Sequence, residues 1–174
     1  MTTGPMITEL VSTSAAMTRA LGAALATELG LGAVVVLSGD LGSGKTVFAQ
    51  GVAAGLGVTE RVVSPTFAIA REYSGRLPLH HLDVYRLDHV QEAIDLGLDE
   101  LFDDAVTLIE WGEGVRDLLP ADRLEVELAL DPADVTAENV RRITLSPIGP
   151  RWSERASAIA DALRAVDGVR DQDA

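Results

Sequence analysis

The 174-residue sequence has no cysteine, which excludes disulfides, thiol nucleophiles and cysteine-ligated metals together. No apolar run approaches the ~18 residues that a membrane span needs. The first residues, MTTGPMITELVSTS, lack the basic segment and apolar stretch of a secretory signal, so a cytoplasmic location without membrane association is expected. Internal repeats, low-complexity tracts and a Pro/Gly/Ser-rich linker are missing too, which makes one domain over 1–174 the economical organisation. Lysine is nearly absent: the 14 basic residues are 13 arginines and Lys45.

What is present is apolar and acidic. Hydrophobic residues make up 47% of the chain and charged residues 24%, enough apolar content for a single sizeable core. The 27 acids give a net charge of -13, and they are unevenly placed. Residues 1–82 carry five acids and five bases, 83–127 carry fourteen and three, and 128–174 carry eight and six. Grip on a phosphate backbone comes mainly from lysine and arginine, so this chain is a poor nucleic-acid binder by itself. The acidic 83–127 stretch reads equally as a docking face for a basic partner or as a solvated surface.

Periodicity sketches the elements. Ser12 to Leu29 reads as a helix with capping hydroxyls at its start and Gly30 at its end. Ala33 to Leu37 is a short β-branched run with apolar residues on both faces, the mark of a buried parallel strand. A Gly-rich turn and a helix from Lys45 to Gly55 follow. Phe67 to Tyr73 and Leu77 to Leu82 flank Ser74-Gly75-Arg76 as a hairpin. His89 to Leu96 and Leu98 to Phe102 read as short helical pieces, and Ala105 to Ile109 as a second buried strand. Arg123 to Leu130 alternates as a strand with one wet face, and Asn139 to Ser146 can return antiparallel to it. A last helix is expected from Ser153 to Val166, with a core of about 6–166 and a frayed tail from Asp167 to Ala174. Together these give an α/β fold with central parallel strands and antiparallel additions.

Gly39-Asp40-Leu41-Gly42-Ser43-Gly44-Lys45-Thr46 fits G-x-x-x-x-G-K-[ST] and lies between a buried strand and a helix, the context that pattern requires. Glycines let the backbone curl until successive N–H groups converge on phosphate oxygens, and the helix adds its N-terminal partial charge. Lys45 can reach the β- and γ-phosphates, and the Thr46 hydroxyl can ligate Mg²⁺. Guanine-specific relatives of this loop read the base through an Asn-Lys-x-Asp segment. The one lysine is already in the phosphate loop, so ATP is the expected nucleotide.

Such a site needs an acid at the end of a neighbouring strand. Glu110, closing Val106-Thr107-Leu108-Ile109-Glu110, and Asp83, closing Leu79-His80-His81-Leu82-Asp83, both qualify. Strand period puts His81 on the Asp83 side, where a packed, hydrogen-bonded histidine is expected. Thr66 is a loop hydroxyl that could sense the γ-phosphate or serve only its own turn. Trp111 suits core packing and a wall beside the nucleotide equally.

Taken in order, the phosphate loop, Ser64-Pro65-Thr66-Phe67, His81-Leu82-Asp83-Val84-Tyr85-Arg86 and Glu110-Trp111 resemble the bacterial TsaE (YjeE) family. The resemblance runs from Thr18-x-x-Leu21-Gly22 to the strands at 123–146. It implies a P-loop NTPase-like three-layer sandwich and the ATPase component of the machinery that forms N6-threonylcarbamoyladenosine at position 37 of tRNAs decoding ANN codons. It also implies TsaB and TsaD homologues as partners, with ATP hydrolysis resetting their complex and tRNA met only through it. Carried over by motif, Lys45 contacts phosphates, Thr46 and Glu110 hold Mg²⁺, and Asp83 orients or deprotonates the attacking water. Thr66 falls in a switch-like loop and Trp111 in the nucleotide wall. No motif matches the helix beyond Pro150. A small-molecule kinase and a non-catalytic ATP-binding module are the competing classes.

Overall fold

The computed structural model describes residues 8–65, 70–84, 94–95, 97–111, 116–131 and 139–171. Eight strands form there: β1 (Thr8–Ser12), β2 (Val34–Ser38), β3 (Ala70–Tyr73), β4 (Leu79–Asp83), β5 (Val106–Glu110), β6 (Arg123–Leu130), β7 (Arg141–Ile148) and β8 (Arg170–Asp171). The helices are α1 (Ala15–Ala26), α2 (Lys45–Gly55) and α3 (Pro150–Arg164), with a 3-10 turn at Leu98–Leu101. All eight strands join one sheet in the order β3-β4-β5-β2-β6-β7-β1-β8.

The four middle strands, β4-β5-β2-β6, run parallel, and the remaining strands add antiparallel at both sides. Parallel strands must be covered on both faces, which is why β2 reads as an apolar run from Val34 to Leu37 and every position of β5 is buried. One face packs against α1, α2 and α3 through Leu21, Leu25, Phe48, Val52, Ile159 and Leu163. The other face is covered more thinly, with Val34, Val36, Leu82 and Ile109 meeting Phe102 and Leu119. The mixed α/β sandwich anticipated from the pattern is therefore present, its second cover made by short turns in the described residues.

Helices α1 and α2 cross closely because glycines and alanines meet at the contact. A Cβ on Gly22 would run into the Phe48 carbonyl oxygen, and one on Gly51 into the backbone of Arg19. This crossing fixes the axis of α2, and with it the direction in which the phosphate loop opens.

Several boundaries differ from expectation for physical reasons. Ser12 belongs to β1, and α1 starts one residue past Ser14, whose Oγ accepts from Met17 N at 3.1 Å as its N-cap. α3 starts at Pro150, since proline has no N–H to lose at a first helical position; Asp122 Oδ1 accepts from Arg151 N at 3.0 Å. The tail expected to fray from Asp167 instead returns as β8, pairing Arg170 with Val11 and Asp171 with Leu10. Arg164 Nε holds Asp171 Oδ2 at 2.5 Å. The helical piece expected at His89 to Leu96 lies almost wholly outside the described residues. Among the described residues, no helix is long and apolar enough to cross a membrane.

Candidate nucleotide site

The C-terminal ends of the parallel strands all point to one edge of the sheet, and there β2 passes through the glycine loop into α2. Gly39, Gly42 and Gly44 have φ of 132°, 79° and 108°, values that side-chain-bearing residues rarely adopt. Gly39 is sterically pinned as well, because a Cβ there would collide with the Leu128 carbonyl oxygen on β6. Gly44 is the N-cap of α2 and offers no side chain, so no side-chain cap covers the first-turn N–H groups of that helix. Uncapped donors at a helix start favour an anion.

Lys45 is 5% exposed, and a buried ammonium needs partners. Its Nζ donates to the carbonyl oxygens of Gly39 at 2.6 Å and Asp40 at 3.0 Å. It also lies 4.1 Å from the centroid of the Trp111 ring, a cation–π contact. Trp111 has φ 62°, the one positive value among described non-glycine residues. Its N–H donates to Leu37 O at 3.2 Å, tying the end of β5 to β2. The indole is thus a wall of the loop and not part of the core clusters.

The cavity beside the loop measures about 410 Å³ and is bordered by Lys45, Thr46, Ser64, Asp83, Glu110 and Trp111, with Leu41, Gly42, Gly44 and Val47 on the loop side. Asp83 and Glu110 are register partners on adjacent parallel strands, so both carboxylates stand on one face at one level. They are 6% and 3% exposed. Two buried acids close to a lysine and a threonine hydroxyl form a set of hard oxygen donors suited to a divalent cation. No three His, Cys, Asp or Glu among the described residues form a cage for a metal by themselves. A Mg²⁺ ion would not require such a cage, since it takes one or two carboxylates and fills its shell with phosphate oxygens and water.

His81 is fully buried, with its Nε2 2.8 Å from Glu110 Oε1, as the strand period anticipates for a packed, bonded histidine. His80, on the other face, places Nδ1 3.1 Å from Leu101 O. Of the residues singled out in sequence, the structure brings Lys45, Thr46, Asp83, Glu110 and Trp111 around one cavity. Gly39 and Asp40 serve Lys45 through their carbonyls. Leu41 is 93% exposed at the cavity mouth, and Ser43 is buried beneath the loop. Thr66 lies outside the described residues.

Two further residues are assigned no role by the sequence pattern. Ser64, which opens the Ser64-Pro65-Thr66-Phe67 segment two residues before Thr66, borders the cavity. Arg141, on β7, donates from Nε to Ser43 O at 2.9 Å and from Nη2 to Gly42 O at 3.2 Å. It braces two loop carbonyls from behind while Lys45 holds two from within. Nearly a hundred residues separate Arg141 from the loop, and no local motif announces such a contact.

Comparison with known proteins places this arrangement. The family model described as threonylcarbamoyl adenosine biosynthesis protein TsaE matches residues 12–140. The tRNA threonylcarbamoyladenosine biosynthesis protein TsaE of Bacillus subtilis is 45% identical over 123 residues, covering 70% of this chain and 73% of that protein. The Streptomyces coelicolor protein of the same name is 44% identical over 139 residues, covering 78% and 93%. The crystal structure of Bacillus subtilis YdiB superposes with a TM-score of 0.77 at 34% identity, over 90% of this chain and 96% of that one.

Proposed function

The chain belongs to the TsaE family, which brings with it a role in tRNA threonylcarbamoyladenosine biosynthesis, and we propose that it fills this role as a Mg²⁺-dependent ATPase. One observation carries the ATPase reading: two buried carboxylates, Asp83 and Glu110, end adjacent parallel strands in register and face the same cavity as Lys45 and Thr46. A site built only to bind nucleotide needs the loop and the lysine. A second buried acid is explained by a need to handle water.

In this reading the first turn of α2 and the loop N–H groups bind the phosphates of ATP, and the Lys45 ammonium exchanges the Gly39 and Asp40 carbonyls for phosphate oxygens. Thr46 and Glu110 hold Mg²⁺, which when bound neutralises charge on the terminal phosphates. Asp83 orients the attacking water and accepts its proton. The Trp111 ring excludes bulk water from one side of Lys45. Across the loop, Ala15, Thr18, Val47, Asn139 and Arg141 line a second hollow of about 100 Å³. The nucleobase lies there, with the γ end of the chain directed to the acids. No described arginine borders the main cavity, so hydrolysis is slow alone and rises when TsaB and TsaD homologues join, whose complex it resets.

The test is phosphate release with and without the TsaB and TsaD homologues, beside multi-turnover tRNA modification. Asp83→Asn should cut release by about 100-fold or more, the scale of losing a general base, while still binding ATP, and Glu110→Gln should cut release through loss of the cation. Transfer of phosphate to a metabolite instead of water would establish a kinase. Undiminished modification by the Asp83→Asn protein would show that hydrolysis is not its contribution.

A further inference from the structure

His81 has no task in the chemistry just set out, yet it is among the most buried polar groups of the chain. Two facts make packing a poor explanation for it. Its Nδ1 is buried and has no hydrogen-bond partner among the described residues. An orphaned buried nitrogen is a cost that leucine, of similar bulk, would not incur. Its Nε2, by contrast, makes a 2.8 Å bond to Glu110 Oε1, and both side chains are shielded from water. An ionised carboxylate only accepts, so Nε2 carries the hydrogen and the bond fixes the ring's tautomer.

The sheet explains how this bond comes about. Asp83 and Glu110 share a register level, and His81 lies two residues earlier on β4, on the same face. His81 and Glu110 are thus one level apart on neighbouring strands, and their side chains close that gap to 2.8 Å. Trp111, immediately after Glu110, takes its unusual positive φ at this point, turning the chain away from the strand just past the carboxylate.

We propose that His81 is the positioning residue of the cation site: by occupying Oε1 it fixes the Glu110 carboxylate so that Oε2 alone is presented to a divalent cation. The inference rests on the Mg²⁺–ATP reading of the cavity and deepens it. Metal ligands are commonly held by an outer hydrogen bond that sets their direction, and here the ligand is the carboxylate and the holder the imidazole. Without that bond Glu110 can rotate, and the cation loses a pre-aimed oxygen.

The experiment measures Mn²⁺ affinity by electron paramagnetic resonance, using the full chain saturated with a non-hydrolysable ATP analogue. Affinity for the analogue in EDTA and the thermal midpoint are read alongside. Two variants separate positioning from packing: the Gln amide nitrogen can stand where Nε2 stands, whereas the shorter Asn cannot reach Glu110. His81→Asn should weaken Mn²⁺ binding about tenfold or more, with metal-free nucleotide affinity unchanged, and His81→Gln should restore most of the loss. If Asn and Gln weaken Mn²⁺ binding alike, in step with their thermal midpoints, His81 is only structural and the proposal falls. Glu110→Gln is the control for the underlying reading. If it leaves Mn²⁺ affinity intact, the cation site itself is wrong; if it abolishes affinity while His81→Asn does nothing, only the positioning role is overturned.

Discussion

At the scale of the residue, the one lysine among 13 arginines is held from several sides at once. Its ammonium fits between the Gly39 and Asp40 carbonyls and beneath the Trp111 ring, a space matched to a compact point charge on a flexible stem. A guanidinium is planar and wide, and cannot take the same two carbonyls and then turn to phosphates. Lys45→Arg therefore keeps the charge and loses the geometry. Charged hydrogen bonds contribute about 1.5–3 kcal/mol each, so ATP affinity should fall by about tenfold or more. Isothermal titration measures this; a Lys45→Arg protein that binds like the parent would show that charge alone suffices. Lys45 and the glycines were legible because their chemistry is local, eight consecutive residues whose spacing the phosphate dictates. Trp111 was not resolved by sequence, since the strand pattern gives no sign that its backbone turns to positive φ and lays the ring over Lys45.

At the scale of the element, the α1–α2 crossing sets two known effects against each other. Replacing a helical glycine by alanine gains about 1 kcal/mol of helix propensity. At Gly51, though, the new Cβ would overlap the Arg19 carbonyl, and backbone cannot move aside as a side-chain tip can. Overpacking costs about 1–3 kcal/mol, more where backbone must shift, so Gly51→Ala should destabilise by at least about 1 kcal/mol in urea unfolding. A stabilised variant would mean that the helices sit further apart. Helix α3 poses a similar question, since it lies beyond the residues matched by the family model. It buries Trp152, Ile159 and Leu163 in the main core. At about 1.5–3 kcal/mol for each side chain, its removal takes away a large part of the ~5–15 kcal/mol that holds a domain together. A chain ending at Ile148 should show no cooperative unfolding transition by circular dichroism, whereas one ending at Val169, which lacks β8 but keeps the Val169 packing, should keep it. The middle of the sheet was readable because β2, β5 and β6 declare themselves by buried runs or clean alternation. β1 did not, because two of its three buried positions are Thr8 and Ser12, with the Ser12 hydroxyl 2.7 Å from that of Thr18. β8 is two polar residues long and exists only through its pairing with β1, which no periodicity can carry.

At the scale of the whole molecule, charge decides how a protein of tRNA modification can meet its tRNA. Non-specific affinity for nucleic acid comes from counterions released as cations neutralise phosphates, and weak binders of this kind reach only about 10⁻⁴–10⁻⁶ M at physiological salt. With a net charge of -13, this chain repels the backbone before any contact is made. Two of its cations are also turned inward, since Lys45 and Arg141 hold loop carbonyls. A filter-binding titration should therefore retain no tRNA up to about 10 μM protein, even at about 50 mM salt, where such binding is strongest. Adding TsaB and TsaD homologues with ATP should bring the chain and tRNA into one complex, and that assembly should weaken as salt rises. Micromolar binding by the isolated chain would instead require arginines clustered on one face to outweigh the net charge, and would place this protein in direct contact with the tRNA.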